Sequence, residues 1–221
     1  MSESFFDLLP ASGPQTAGWH VLALWISPAP RAAGTVSCDR ASKRTEFRET
    51  DGAVVTDGTE TVWRTSSEEF RAAMARFAAG VVVVTTLDDS GVPRGFTASS
   101  FCSVSLNPPL ILVCLANSAD SFAAFASCGR FAVSILGSDH RPLAQQFATK
   151  GADKFTSDGL SCTPGGLPAV AGALVELDCE MYARHEAGDH TILIGRVSGT
   201  RLGESAGTPM VYYEQSFRFL A

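Results

Sequence analysis

Hydrophobic and polar positions change character near residue 66. Ser66-Ser67-Glu68-Glu69 places Glu69 three positions after Ser66, a capping-box pattern. Phe70, Met74 and Phe77 follow at i, i+4 and i+7, so the spacing predicts a helix ended by Gly80, with its Phe/Met stripe packed in the core. Val81 to Leu87 is an apolar, β-branched run that predicts a strand. Asp89-Ser90-Gly91 predicts a hairpin turn, and Pro93 to Phe101 a returning strand. Asn107-Pro108-Pro109 interrupts the chain before a strand at 110–115. A short helix is expected at Ser121–Ser127 with Phe122 and Phe125 inward, a strand at 131–136, and a helix at Arg141–Thr149 with Leu143 and Phe147 inward. Residues 150–171, rich in Gly and Pro, predict a long loop. Three strands, about 173–185, 190–201 and 209–219, close the chain. Many strands, few helices and hairpin spacing indicate a mainly β fold, an antiparallel barrel, and argue against a doubly wound sheet.

Residues 1–65 lack this order. They hold Pro10, Pro14, Pro28 and Pro30 and a charged run from Cys38 to Glu46, and only Trp19 to Ile26 has an apolar stretch. They are expected to be an N-terminal extension, mobile or partly disordered, that carries no chemistry: a partner-docking tail, or sequence upstream of the true start. The globular domain is expected to run from 66 to 221.

Composition narrows the function. The chain has 221 residues, 45% hydrophobic and 18% charged, which suits one globular domain with a sizeable core. A net charge of −6 argues against a nucleic-acid surface. No apolar run reaches a membrane span of about 20 residues. Glu3 and Asp7 stand where a signal peptide wants basic residues, so a cytoplasmic protein is expected. The six cysteines, at 38, 102, 114, 128, 162 and 179, form no C-x-x-C pair and are expected to be small buried hydrophobes in a reducing compartment.

Familiar chemical motifs are missing: no Gly-x-Gly-x-x-Gly, no Walker loop, no Gly-x-Ser-x-Gly and no His-Glu-x-x-His. The run Gly95-Phe96-Thr97-Ala98-Ser99-Ser100-Phe101-Cys102-Ser103 is instead crowded with small and hydroxyl residues. Hydroxyls and closely approachable backbone N–H groups can line a flat, polar, phosphate-bearing ligand, although hydroxyl-rich edge strands also occur without one. His185 and His190 flank Glu186-Ala187-Gly188-Asp189, which fits a hairpin turn better than a metal site, so no metal is expected. Lys154 and Phe155 stand together in the long loop, a cation for phosphate beside an aromatic face for a ring.

Several segments, in order, resemble the short-chain NAD(P)H:flavin reductases, the reductase components of two-component flavin-dependent monooxygenases. They are Phe77 to Thr86, Gly95 to Phe101, Ser103 to Pro109, Asn117-Ser118, Gly129 to Val133, Asp153-Lys154-Phe155, Gly188 to Val197 and Pro209 to Tyr213. The resemblance runs from Glu68 to the C-terminus and leaves 1–65 outside. It implies a split antiparallel β-barrel with a few short flanking helices and a homodimer with flavin near the interface. It implies reduction of FMN or FAD by NADH or NADPH, and a partner monooxygenase that receives the reduced flavin. By motif position it implies flavin contacts at Gly95, Phe96, Thr97, Ala98, Ser99 and Ser100. Asn117, Ser118 and Ser121 would lie near the ribityl–phosphate end, and Gln146, Lys154 and Phe155 near the phosphate or adenylate. His190 and Tyr213 would line the nicotinamide side. No side chain is assigned a covalent role, since hydride passes directly between nicotinamide and flavin. The family often has a basic residue after the asparagine; Ser118 stands there instead, leaving less positive charge for phosphate. The competing readings are a split-barrel oxidase that retains its flavin, a non-enzymatic flavin-binding or haem-binding module, and an interaction protein using residues 1–65.

Overall fold

The computed structural model of the chain describes residues 65–156, 158–204 and 207–220. The expected extension, apart from Thr65, lies outside the described residues, as does Cys38. The elements are helices α1 (Ser67–Met74), α2 (Phe122–Ser127) and α3 (Arg141–Ala148) and strands β1 (Ala79–Gly80), β2 (Val82–Leu87), β3 (Pro93–Ala98), β4 (Cys102–Leu106), β5 (Pro109–Ala116), β6 (Arg130–Ile135), β7 (Leu160–Cys162), β8 (Pro168–Val170), β9 (Val175–Ala187), β10 (His190–Leu202), β11 (Met210–Tyr213) and β12 (Ser216–Phe219). The architecture is mainly β with antiparallel pairing, as the periodicity predicts.

Seven strands form one sheet in the order β3-β2-β6-β9-β10-β5-β4. Its two edge strands, β3 and β4, are consecutive in sequence and joined only by Ser99, Ser100 and Phe101. So short a link spans at most about 14 Å. The sheet must therefore roll until its margins nearly meet. Among the described residues no backbone ladder joins them, so the roll stays split along that seam.

The interior of the roll is packed with Val82, Val84, Phe96, Val113, Leu115, Phe131, Val133 and Leu193, with Phe125 of α2 inserted against Phe96 (ring centroids 5.1 Å apart, edge to face). Val81 and Val83 point the other way, into a second cluster with Leu136, Leu143, Ala144, Phe147 and Met210 beneath α3. This stretch is thus covered on both faces, which is why it is β-branched throughout rather than alternating with polar residues. Each fully buried Phe or Leu stabilises the fold by about 1.5–3 kcal/mol. A three-stranded sheet, β1-β11-β12, and the β7–β8 hairpin complete the described strands.

Five expectations change. The capping box at Ser66 forms, but α1 stops at Met74, and Phe70 (55% exposed), Met74 (53%) and Phe77 (72%) face outward instead of packing in the core. The periodicity identified the helix; it could not show that none of the described elements packs over that face. Residues 102–106 are a strand of their own, hidden in the sequence because the hydroxyl-rich run continues through it. The loop 150–171 contains the β7–β8 hairpin. The strand expected at 209–219 is split by a turn at Glu214 (φ 47°) and Gln215 (φ 57°), where neither residue announces a left-handed backbone. The cysteines divide as well: Cys128 and Cys179 are buried, with burial and the nearby Asp178 charge pushing the Cys179 thiol up to about 12, whereas Cys102 and Cys162 are exposed.

Gly195 marks the tightest point of the roll. It sits on β10, and an added Cβ would overlap the buried Phe131 ring and lie 3.0 Å from the Cys179 Cβ. Gly195→Ala is expected to destabilise the domain by about 1–3 kcal/mol through overpacking, read as a lowered urea midpoint. An unchanged midpoint would mean that the interior yields at this position.

Candidate functional site

The seam between the sheet margins is also where a cleft opens. Its volume is about 410 Å³, within the usual range for small-molecule sites. The chain from Phe96 to Ser100 forms one wall, Cys114 to Ala116 of β5 and the turn Ser118–Asp120 form another, and Lys150, Lys154 and His190 sit on its margin.

The hydroxyl-rich run does not simply point its side chains into this cleft. Phe96 and Ala98 turn inward to the core. The Thr97 hydroxyl donates to the Ala144 carbonyl of α3 at 2.7 Å. Ser100 Oγ accepts from the Cys114 N–H at 3.0 Å and lies 3.3 Å from the Cys114 carbonyl, to which it donates. One serine side chain therefore continues the β4–β5 pairing beyond the Cys102–Leu112 pair, where the backbone ladder has ended. What remains for a ligand is mostly backbone, together with the exposed Ser99. Gly95 lies under this wall and opens onto an adjoining hollow rather than the cleft itself; a Cβ there would come within 2.8 Å of Phe147 Cε1 and 2.9 Å of the Val84 carbonyl, so β3 can approach α3 only as glycine.

The β9–β10 turn sets the next part of the rim. Gly188 (φ 64°) and Asp189 make the two-residue connection that the sequence predicts. Asn117 is not on the cleft lining; its side-chain oxygen accepts from the Thr191 hydroxyl at 2.8 Å and its backbone N–H donates to the Asp189 carbonyl at 2.9 Å. It locks the end of β5 to this turn. Asp189 Oδ1 is 2.7 Å from His190 Nδ1. A carboxylate only accepts, so Nδ1 carries the proton, and Nε2 has no protein partner among the described residues. The His190 hydrogen bond, its charge and, more weakly, Arg71 of α1 hold the Asp189 carboxyl below the usual range.

The loop after α3 closes the opposite side. Asp120 Oδ2 accepts from the Gly151 N–H at 2.7 Å, the Lys150 ammonium lies 3.4 Å from the Ser118 carbonyl, and Lys154 Nζ donates to the Gly95 carbonyl at 3.2 Å. Burial pushes the Lys154 amine below its ordinary value, and the Asp120 charge partly restores it. Gln146 holds the loop by donating to the Asp153 carbonyl at 2.7 Å, and Phe155 packs edge to face on Phe147. Asp120 and Lys154 also border the adjoining hollow, about 390 Å³, which Gly95, Ser121, Asp153 and Phe155 line. Ser121 is 3% exposed, and its hydroxyl is buried with no hydrogen-bond partner.

The structure thus brings Phe96 to Ser100, Ser118, Lys154 and His190 to one cleft, and Gly95, Ser121 and Phe155 to its neighbour. Asn117 and Gln146 hold loops behind it, and Tyr213 lies on β11, away from the lining of either. Sequence reasoning missed Cys114, Ala116, Asp120 and Lys150. Asp120 was within reach, three residues after Asn117; Lys150 carried no signal beyond its place before Gly151. His140 spends both ring nitrogens on the backbone of Gly137 and Ala171, so it is not free to bind a metal or haem. Among the described residues no cluster of three potential metal ligands occurs, and no helix is long and apolar enough to cross a membrane.

Residues 74–221 match the model of the flavin reductase like domain. The chain is 51% identical over 150 residues to the actinorhodin polyketide dimerase of Streptomyces coelicolor, covering 68% of this chain and 84% of that protein. It is 41% identical over 151 residues to an NADH:riboflavin 5′-phosphate oxidoreductase of Streptomyces pristinaespiralis, covering 68% and 86%. It is 33% identical over 168 residues to the reductase subunit of a flavin-dependent monooxygenase of Rhodococcus jostii, covering 76% and 82%. The fold matches the Streptomyces globisporus NADH:FAD oxidoreductase, solved with NAD and FAD fragments, with a TM-score of 0.67 and 34% identity over 74% of this chain and 98% of that one.

Proposed function

The chain belongs to the flavin reductase-like domain family, and we propose that it is an NAD(P)H:flavin oxidoreductase that reduces FMN or FAD and supplies reduced flavin to a partner monooxygenase. The observation that carries this reading is the seam cleft itself. One wall is backbone and small residues, suited to a flat ring. The neighbouring hollow holds a buried, unpartnered Ser121 hydroxyl next to the Lys154 cation, suited to a phosphate ester. Those donors fit a flavin.

The flavin and nicotinamide supply the hydride chemistry when bound. The protein's work is to hold and orient. The wall from Phe96 to Ser100 presents backbone groups and the Ser99 hydroxyl to the ring. Lys154 meets the phosphate, with Ser121 as a neutral donor. Asn117 and Gln146 act from behind by fixing the loops that carry Ser118 and Lys154. His190, oriented through Nδ1 by Asp189, offers Nε2 to the nicotinamide side. Phe155, packed on Phe147, limits the hollow rather than stacking freely. Tyr213 has a place at the nicotinamide only if a second copy carries it there. A homodimer belongs to this reading, and the exposed Phe70, Met74 and Phe77 are apolar surface for such contacts. Light scattering should give twice the chain mass; a monomer under assay conditions would remove Tyr213 from the site. Free, exposed Cys102 and Cys162 suit a reducing cytoplasm.

Absorbance at 340 nm, followed with NADH and NADPH separately against FMN and FAD, is the direct test. Nicotinamide oxidation that depends on added flavin is expected; no turnover in any pairing by folded protein would overturn the proposal. In the same assay His190→Ala should raise the nicotinamide KM more than the flavin KM, and an unchanged nicotinamide KM would remove His190 from the site.

The buried setting of Lys154 gives a pH dependence with a definite sign. Its ammonium deprotonates below the 10.5 of an unperturbed lysine, so the cation is present at low pH and lost as pH rises through that lowered value. The flavin KM should therefore climb on the alkaline side, and Lys154→Met should flatten that climb. Parallel profiles for the two proteins would show that Lys154 does not meet the phosphate.

A further inference from the structure

Ser118, in the turn after Asn117, lines the cleft without bringing any charge to it. Space supplies what sequence order does not. Lys150 lies 32 positions further along the chain, yet its ammonium rests 3.4 Å from the Ser118 carbonyl, and both residues line the cleft. We propose that Lys150 provides positive charge at the Ser118 end of the cleft and, with Lys154, selects flavins that carry a 5′-phosphate ester over uncharged riboflavin. The assignment rests on the flavin reductase reading and adds to it a residue that determines specificity.

Three features support it. First, Lys150 is held near the cleft: the next residue, Gly151 (φ 73°), donates its N–H to Asp120 at 2.7 Å, which ties the loop to the turn that carries Ser118. Second, the Lys150 ammonium is not spent. It has three donors, and its only protein partner among the described residues is one carbonyl at a long, weak distance, with no carboxylate in ion-pair range. An entering phosphate oxygen replaces that contact with a charge-assisted bond at little cost. Third, the other cations near the cleft are differently engaged. Arg94, at the far side of the adjoining hollow, is paired with Asp88 at 3.0 Å, and Lys154 is held at the Gly95 carbonyl between the two spaces. Two ammonium groups, one from each end of the Lys150–Lys154 stretch, thus flank the place where the Ser118–Ser121 turn meets the loop. A phosphate ester is drawn there; the neutral ribityl alcohol of riboflavin gains nothing from either charge.

The test compares FMN with riboflavin within each protein, so that any loss of folded enzyme cancels in the ratio. In the wild type, KM for riboflavin should exceed KM for FMN. In Lys150→Met that ratio should fall roughly tenfold, the loss of one charge-assisted contact, while Lys150→Arg should keep most of it. Raising salt should shrink the wild-type ratio more steeply than the Lys150→Met ratio, where only the more buried Lys154 still draws the phosphate, because ions screen an exposed pair most. A ratio unchanged in Lys150→Met overturns the assignment. Should the wild type oxidise nicotinamide with neither flavin, the reductase reading falls, and the same ratio of dissociation constants, from quenching of flavin fluorescence, still decides for or against Lys150.

Discussion

A single short crossing governs this molecule. Ser99, Ser100 and Phe101 carry the chain from one edge of a seven-stranded sheet to the other, and no flat sheet can satisfy so short a link. The sheet rolls, its interior fills with Val, Leu and Phe, and the margins come to face each other without pairing. The Ser100 hydroxyl then makes both hydrogen bonds to the Cys114 backbone that a neighbouring strand would have made. A closed ladder would seal the seam and leave no site. An unbridged one would expose two unpaired edges, which proteins avoid. Ser100 covers the free edge of β5 only at Cys114, and the cleft opens beside that contact.

The same economy explains why the hydroxyl-rich segment could be noticed in the sequence but not read residue by residue. Its richness in Thr, Ser and Gly does coincide with a wall of the cleft. Yet Thr97 is spent on α3 and Ser100 on β5, while Gly95 is there because β3 must pass close to Phe147. These groups build the wall more than they touch what it encloses. Asn117 tells the same story: it stands in the right motif, but its side chain fastens β5 to the β9–β10 turn. Sequence position found the neighbourhood; only the hydrogen-bond partners separate the residues that support from those that face the ligand.

The fold was legible wherever burial left a periodic trace. The strand at Val82–Leu87, the β9–β10 hairpin around Gly188-Asp189, and α3 with Leu143 and Phe147 inward all follow from residue type and spacing. It was illegible where the physical cause lay elsewhere in the chain. The strand at 102–106 looks like a continuation of the hydroxyl-rich strand expected before it. The turn at Glu214-Gln215 uses left-handed backbone without Gly or Asn, and the sheet pairing around it holds that conformation, not local preference. The stripe of Phe70, Met74 and Phe77 has a core-like period on a helix with no buried residue, so periodicity reported amphipathicity and said nothing of what covers it. Lys150 was hidden for a related reason: its neighbour in function, Ser118, is remote in sequence and near only after the roll has formed.

The balance of charge across the cleft bears on how firmly a flavin is held. Two lysines approach the Ser118–Ser121 turn, but Asp120 sits between the cleft and its adjoining hollow, and Asp153 lines the hollow as well. A phosphate entering there gains attraction from two cations and meets repulsion from carboxylates that stay in place because Asp120 is needed to fix Gly151. Burial adds a second tension. The Lys154 cation has lost part of its hydration, so it gains from an incoming anion, yet the nearby Asp120 has already returned some of that stabilisation. Removing the carboxylate would strengthen the pull on phosphate and at the same time loosen the loop that delivers both lysines. Asp120 thus couples two demands that pull in opposite directions: the geometry of the loop and the net charge of the two spaces it borders.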